Sequence, residues 1–179
     1  MDVIPTQILD CYRVRLETLS DARGYFARVF DREILRSAGA DFQVAQVNRS
    51  LTRPRGTIRG MHFQRPPRAQ AKLVQCIRGA IFDVCVDLRP ESPTHLRWVG
   101  SELSGENQEI MLVPRGCAHG FQALTDDCII EYFLDEVYSP QHEGGLRWND
   151  PALAIEWPLP CTLTSERDAL WPLLTPPGS

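Results

Sequence analysis

The sequence has no long apolar stretch, and its first residues do not have the pattern expected of a secretory leader. Its longest segment free of Asp, Glu, Lys and Arg is residues 169–179, which contains three prolines. That segment is far shorter than the roughly 20 apolar residues of a membrane-spanning helix. The N-terminus lacks the basic start and continuous apolar core of a signal peptide. We therefore expect a cytoplasmic protein that has no membrane partner.

Charge of one sign is not concentrated either. The chain has 19 Lys+Arg against 23 Asp+Glu, a formal net charge of −4 and a pI near 5.6, with no basic run. A nucleic-acid-binding surface normally needs a basic patch. The composition therefore argues against DNA or RNA as partners, while phosphate on a small ligand stays compatible with it.

Cysteine pairs with metal-site or redox spacing are also missing. No two of the six cysteines form a C-x-x-C pair, and several lie inside apolar, strand-like runs. A thiol in such a run packs as a small apolar group. The pattern favours buried free thiols over a disulfide framework or a zinc site. The six are Cys11, Cys76, Cys85, Cys117, Cys128 and Cys161.

Short apolar runs separated by turn residues dominate the chain from about residue 42 to about residue 138. They are rich in Val, Ile, Phe and Cys and recur at spacings of about ten residues. Many short strands with little helical periodicity predict an all-β sandwich or barrel. The clearest runs are residues 42–48, 72–77, 80–88 and 128–134.

Helical signals are few. Asp31 is a good N-cap for a short helix that carries Ile34 and Leu35 and stops before Gly39. The last forty residues are rich in Pro and Trp and predict an irregular segment that wraps the barrel, with a short turn near 165–170. A length of 179 residues fits one domain.

Alternation within residues 81–87 places two carboxylates on one face of a predicted strand. Asp83 and Asp87 share that face with Ile81 and Cys85, while the aromatic and valine side chains share the other. The carboxylate face is either a solvated outer surface or the lining of a polar cavity.

Two of the four histidines are candidates for chemistry. His62 lies in a strand-like segment, and His119 ends a Pro-x-Gly-x-x-His pattern at residues 114–119. That pattern resembles the second motif of cupin barrels, which often hold a metal. A metal-binding cupin usually adds a His-x-His pair and a Glu, but Gln64 and Lys72 stand where further ligands are wanted. Two imidazoles without a carboxylate are an incomplete ligand set, so we expect no metal.

Five other side chains have both a structural and a functional interpretation. Arg23 and Arg59 each precede a glycine, which leaves a guanidinium free to grip phosphate. Lys72 opens an apolar strand, where its structural interpretation is a surface lysine that snorkels at the strand end. Tyr132 lies within an apolar strand, where its structural interpretation is a core aromatic. Asp168 lies near the C-terminus, where a carboxylate is commonly a solvated cap.

Taken in order, nine segments resemble the dTDP-4-dehydrorhamnose 3,5-epimerase family over roughly residues 5–170. The resemblance implies a cupin-type double-stranded β-helix, or jelly-roll barrel, as a single domain over residues 1–179. It also implies a homodimer that acts without metal or cofactor on a nucleotide-linked 4-keto-6-deoxyhexose. The segments are residues 21–26, 46–48, 56–64, 69–72, 84–89, 92–94, 114–121, 138–140 and 147–151.

The same resemblance implies four catalytic roles. His62 is the general base that removes a proton from the carbon next to the C4 ketone, and Asp168 holds its imidazole. Lys72 supports the charge that develops on O4. Tyr132 returns a proton to the opposite face, as inversion requires. A C–H next to a ketone becomes removable only where a base meets the proton while the enolate oxygen is stabilised.

Six further residues are implied to contact the substrate. His119 lines the pocket near O4, and Arg23 and Arg59 hold the diphosphate. Gln46 and Asn48 line the nucleotide site, and Tyr138 stacks near the base.

Three alternatives stay open at this point. Within the same class, the protein inverts one carbon only or uses another nucleotide carrier, because spacing does not decide which carbon meets His62. From another class, the Pro-x-Gly-x-x-His pattern also fits a metal-dependent cupin oxygenase or a metal-binding sugar sensor. A non-catalytic nucleotide-sugar module is the third, although a binder has no need of a full set of acid, base and oxyanion candidates.

Overall fold

The computed structural model describes residues 1–174, so the last five residues of the predicted domain lie outside the described residues. It contains thirteen strands, two short α-helices and one 3-10 turn, Pro140–His142. The helices are α1 Arg32–Ser37 and α2 Glu166–Leu170. The strands are β1 Asp2–Pro5, β2 Tyr12–Arg15, β3 Thr18–Asp21, β4 Gly24–Ala27, β5 Gln46–Thr52, β6 Ile58–Gln64, β7 Lys72–Arg78, β8 Ala80–Asp87, β9 Trp98–Ser104, β10 Glu109–Val113, β11 Cys117–Ala123, β12 Cys128–Leu134 and β13 Glu143–Gly145.

Two antiparallel sheets form the barrel. The six-stranded sheet has the order β1-β2-β10-β7-β12-β5, and the five-stranded sheet has the order β13-β6-β11-β8-β9. Apolar side chains from both sheets meet between them, with Val74, Ile130, Cys85 and Phe121 all buried. This confirms the predicted all-β class and its cupin-type jelly-roll architecture.

Both faces of β8 are buried, so the outer-surface interpretation of its carboxylates is wrong. Asp83 and Asp87 are fully inaccessible to solvent. The side chains of Arg89, Ser92 and Thr94 donate hydrogen bonds to Asp87, which hold the pKa of its carboxyl well below the usual range although burial opposes this. Asp83 instead bonds to a buried histidine in the barrel interior. Loop side chains satisfy the Asp87 carboxylate, and a cross-strand histidine binds one oxygen of Asp83.

The predicted short helix near the N-terminus is confirmed as α1. The Asp31 carboxylate accepts hydrogen bonds from the backbone N–H groups of Glu33 and Ile34, at 3.0 and 3.1 Å. Leu35 is buried beneath it. Five of the six cysteines are buried free thiols, as predicted, whereas Cys161 is partly exposed. Within residues 1–174, no helix has the length and apolar character needed to cross a membrane.

The first four strands carry no clear sequence signal, and two of them leave the barrel. Among the described strands, β3 and β4 pair only with each other, as a separate two-stranded hairpin. This hairpin exposes Leu19, Tyr25 and Phe26, each more than half accessible. Another difference lies in the run at residues 42–48, because the strand found there, β5, begins at Gln46 and continues to Thr52.

Candidate active site

A cavity of about 310 Å³ opens between the two sheets. The five-stranded sheet contributes β6 and β11 to its wall, and the six-stranded sheet contributes β5, β7 and β12. Seven of the ten predicted site residues line the cavity. Two more, Gln46 and Asp168, bond to lining residues. The lining residues are Asn48, Arg49, Ser50, Arg59, His62, Phe63, Gln64, Gln70, Lys72, His119, Phe121, Tyr132, Leu134, Tyr138 and Glu143.

His62 forms a close pair with Asp168. His62 stands on β6, and its Nε2 lies 2.6 Å from Asp168 Oδ1 on α2. Asp168 is buried, and its other oxygen accepts the backbone N–H of Gly60 at 3.2 Å. Burial opposes ionisation, but the hydrogen bond and charge of His62 outweigh it and lower the pKa of the Asp168 carboxyl. The ionised carboxylate accepts from Nε2–H, which leaves Nδ1 with a lone pair.

A second histidine–carboxylate pair lies deeper. His119 on β11 is opposite His62 across the β6–β11 pairing, and its Nε2 lies 2.7 Å from Asp83 Oδ1 on β8. Burial raises the pKa of Asp83 and lowers the pKa of His119. Asp83 Oδ2 is buried and has no hydrogen-bond partner in the part of the chain that the structure describes. These directions favour a neutral pair with one shared proton, in which the imidazole is uncharged.

Lys72 is buried at the start of β7 rather than snorkelling to the surface. Its Nζ donates to the backbone carbonyl of His62 at 3.2 Å, which places a cation beside the histidine strand. Burial lowers the pKa of this amine to about 8, although the charges of Asp83 and Glu143 oppose the shift. Lys72 is also the only lysine among the 19 basic residues of the chain.

Tyr132 faces the same cavity from β12, in the sheet opposite His62. Its hydroxyl lies 3.0 Å from Ser50 Oγ, and its ring packs edge-on against His119 with centroids 6.3 Å apart. Burial raises the pKa of the phenol well above its ordinary value, and the Ser50 hydrogen bond only partly offsets this. The side chain therefore stays protonated through the physiological range, as a proton donor must.

Four predicted contact residues lie along one edge of the cavity. Arg59 donates to Thr52 Oγ1 at 2.9 Å, and its exposed guanidinium lines the cavity. Gln46 binds Asn48 Oδ1 through Nε2 and the backbone N–H of Tyr138 through Oε1. Tyr138 is half exposed, so the face of its ring is accessible to a flat ligand.

Arg23 is not brought to this cavity by its own chain. It lies at the tip of the β3–β4 hairpin, where its exposed guanidinium forms an ion pair with Asp21. The diphosphate contact predicted for Arg23 therefore has no counterpart within one copy of residues 1–174, whereas Arg59 lines the cavity.

Sequence reasoning missed four residues of the site. Asp83 was recognised only as one of two carboxylates on a strand face, and Ser50, Glu143 and Trp171 carried no motif. Glu143 Oε2 accepts from the Tyr138 hydroxyl at 2.9 Å and from Arg167 at 3.0 Å. Among the described residues no three His, Cys, Asp or Glu side chains converge as metal ligands.

Comparisons with known proteins point to one family. A family model described as dTDP-4-dehydrorhamnose 3,5-epimerase matches residues 5–176. An enzyme of that name from Sinorhizobium fredii is 48% identical over 162 residues, 90% of this chain and 83% of the relative. The crystal structure of a Bacillus anthracis dTDP-4-dehydrorhamnose 3,5-epimerase with TDP and PPi bound has a TM-score of 0.93 and 43% identity, covering 97% of this chain and 99% of that one. A dTDP-4-dehydrorhamnose 3-epimerase from Streptomyces niveus is 38% identical over 169 residues, 94% of this chain and 81% of the relative.

These similarities extend over nearly the whole chain, including every element that lines the cavity. They favour the isomerase hypothesis over the metal-dependent oxygenase and the non-catalytic module. The chain belongs to the dTDP-4-dehydrorhamnose 3,5-epimerase family and is an epimerase.

Proposed function

We propose that this epimerase inverts C3 and C5 of a dTDP-linked 4-keto-6-deoxyhexose, converting a dTDP-4-dehydro-6-deoxyglucose into a dTDP-4-dehydrorhamnose. One observation carries the proposal: His62, paired with Asp168, and Tyr132 face one cavity from opposite sheets. Inversion needs a base on one face of the sugar carbon and an acid on the other. Two groups of suitable chemistry on opposite walls meet that requirement.

The first step is proton removal by His62. Nδ1 takes the proton from the carbon next to the C4 ketone, and the imidazolium that forms is stabilised by the Asp168 carboxylate on Nε2. The electron pair moves to O4, where the Lys72 ammonium and the neighbouring His119 offset the developing negative charge. Tyr132 then donates its phenolic proton to the opposite face, and the resulting configuration is inverted.

Proton NMR in D₂O tests the proposal directly. With dTDP-4-keto-6-deoxyglucose as substrate, we expect solvent deuterium to enter at both C3 and C5 and the rhamno configuration to form. Entry at C3 alone supports the second candidate, a single-carbon epimerase, which the 38% identity to a 3-epimerase keeps in view. No entry at either carbon contradicts the proposed substrate and directs the assay to other nucleotide carriers.

The charge on Lys72 predicts an alkaline limit to activity. The amine is cationic below its pKa of about 8 and neutral above it, so stabilisation of the enolate oxygen is lost as the pH rises. We expect kcat/KM to fall above about pH 8 in the wild type. Arginine stays charged throughout, so the residual activity of a Lys72→Arg variant should show no such limb. The same limb in that variant would assign it to another group.

We further propose that the enzyme works as a homodimer in which the β3–β4 hairpin of one copy reaches the cavity of the other. The hairpin exposes three apolar side chains and pairs with no other strand within residues 1–174. Its tip carries Arg23, whose guanidinium suits a diphosphate but is remote from its own cavity. A second copy would cover the apolar side chains of the hairpin, and its cavity would place the substrate diphosphate within reach of Arg23.

Mixed dimers test this arrangement. If Arg23 acts in the partner's cavity, a dimer of one Arg23→Ala chain and one His62→Ala chain has one unaltered site and one doubly altered site. At low substrate concentration we expect such dimers, isolated by two tags, to recover about half of the wild-type kcat/KM. The Arg23→Ala homodimer should have a KM raised about tenfold with kcat nearly unchanged. Arg53→Ala, another exposed arginine away from the cavity, is the matched control. Mixed dimers no more active than Arg23→Ala would contradict the exchange.

A further inference from the structure

The segment of residues 165–174, which we call the C-terminal strap, carries Asp168 to the barrel. α2 has only five residues and cannot hold a position by itself. The strap is fastened elsewhere, by Arg167 to Glu143 and by hydrogen bonds from Arg147 to the carbonyls of Trp171 and Pro172. The position of the carboxylate therefore depends on contacts beyond the helix.

Trp171, on the same strap, contacts both His62 and Asp168. Its indole Nε1 donates to Asp168 Oδ1 at 3.3 Å, the same oxygen that receives His62 Nε2. Its ring meets the His62 ring edge-on, with centroids 6.4 Å apart. The indole thus contacts both members of the pair, although it does not line the substrate cavity.

The seat of the indole is Gly145. This residue pairs directly with His62 across β13 and β6, and a Cβ added to it would lie 2.2 Å from Trp171 Cε2. Real Cβ atoms essentially never come so close to a non-bonded heavy atom. Because the strap is held by Arg147 and Glu143, the indole can move away only if the strap moves with it. The φ of Gly145 lies outside the left-handed region, so its missing side chain serves the indole rather than the backbone.

We propose that Trp171 is a positioning residue for the His62–Asp168 pair: seated flat on Gly145, its indole fixes the strap so that Asp168 Oδ1 stays on His62 Nε2. This inference rests on the proposed role of that pair as the base and its orienting group. The N–H···O contact also supplies part of the stabilisation of the carboxylate anion. Loss of the whole indole releases the strap and displaces the carboxylate from His62. Loss of the N–H alone leaves the carboxylate in place without one of its donors, which makes it a stronger partner for the imidazolium.

A double-mutant cycle between Trp171 and Gly145 is the central test. Trp171→Ala is expected to lower kcat about tenfold to a hundredfold with KM nearly unchanged, because the indole positions the base without touching substrate. Gly145→Ala should lower kcat similarly, since its methyl group pushes the indole and strap away. In the double variant the methyl group meets an empty space, so the double should be no slower than Trp171→Ala alone.

Two further variants separate positioning from a general structural role. Trp171→Phe keeps an aromatic ring on Gly145 but removes the N–H, and we expect a smaller loss of kcat. Its acidic limb of kcat/KM should move to higher pH, because a carboxylate that has lost a donor holds the proton on the histidine more tightly. Leu170→Ala, a change at the most exposed apolar side chain of α2, is the matched control and should leave both quantities unchanged. Melting curves show whether each variant is folded at the assay temperature.

Each outcome bears on one proposal or the other. Additive losses in the cycle, or an unchanged acidic limb in Trp171→Phe, would overturn the positioning role while leaving the His62 mechanism intact. If His62→Ala and Asp168→Asn are themselves fully active, the proposed function fails first, and any Trp171 effect then belongs to stability. Non-additive losses with a raised acidic limb, alongside an inactive His62→Ala, support both.

Discussion

The His62→Ala variant is expected to show no deuterium entry at C3 or C5 and a kcat at least about a thousandfold below wild type. The cavity's other titratable groups are poor substitutes for this base. Lys72 is a cation below about pH 8, and the raised pKa of Tyr132 keeps its phenol protonated. Glu143 is already held by Tyr138 and Arg167. The loss should therefore affect both carbons, measured by proton NMR in D₂O.

Two companion variants make this result interpretable. Asp168→Asn keeps the size of the side chain but removes the charge that stabilises the imidazolium, so we expect a loss of about a hundredfold or more. His142→Ala is the matched control, because His142 is bonded to Ser139 and lies outside the cavity. Deuterium entry at one carbon in His62→Ala would show that a second base serves that carbon.

The sequence predicts the features of this molecule that depend on near neighbours. The α1 cap is such a feature, because Asp31 binds backbone groups only two and three residues away. The short strands are another, since alternation and turn residues are local signals. By contrast, the His62–Asp168 pair joins residues 106 positions apart. No spacing rule predicts that contact, and only the family resemblance suggested it.

Asp83 shows why burial of charge is harder to predict than strand alternation. Alternation correctly puts Asp83 and Asp87 on the same face of β8. It does not decide whether that face points to solvent or to the barrel interior. The answer depends on His119, which lies 36 residues away on the neighbouring strand and binds one oxygen of the carboxylate. The hairpin carrying Arg23 has a related limit, because its two strands carry no clear sequence signal and nothing in the sequence says what they contact.

The amino-acid composition alone marks Lys72 as exceptional, because it is the one lysine in the sequence. A chain that uses arginine for all its other basic side chains has one lysine, and that lysine is buried in the cavity. A guanidinium cannot lose its proton near neutral pH, whereas a buried amine shifts readily. The exceptional residue type therefore marks the place where a compact, titratable cation is needed.

The Tyr132→Phe variant is expected to separate proton removal from inversion. Phenylalanine keeps the edge-on packing against His119 and removes only the hydroxyl that binds Ser50. His62 can still take a proton, but the enolate can regain one only from the face that lost it. We therefore expect deuterium to enter with retained configuration, while inversion slows by about a hundredfold or more. NMR reports deuterium entry and ring configuration in the same sample.

The ratio of deuterium entry to inversion is the diagnostic quantity. In His62→Ala both should vanish together, whereas in Tyr132→Phe entry should exceed inversion. Ser50→Ala keeps the phenol and removes its hydrogen-bond partner, so its ratio should stay near the wild-type value. Equal loss of entry and inversion in Tyr132→Phe would show that the phenol is needed to remove the proton as well. Full inversion would mean that another acid faces the sugar. The two measurements thus distinguish the base from the acid: His62 controls deuterium entry, and Tyr132 controls the change of ring configuration.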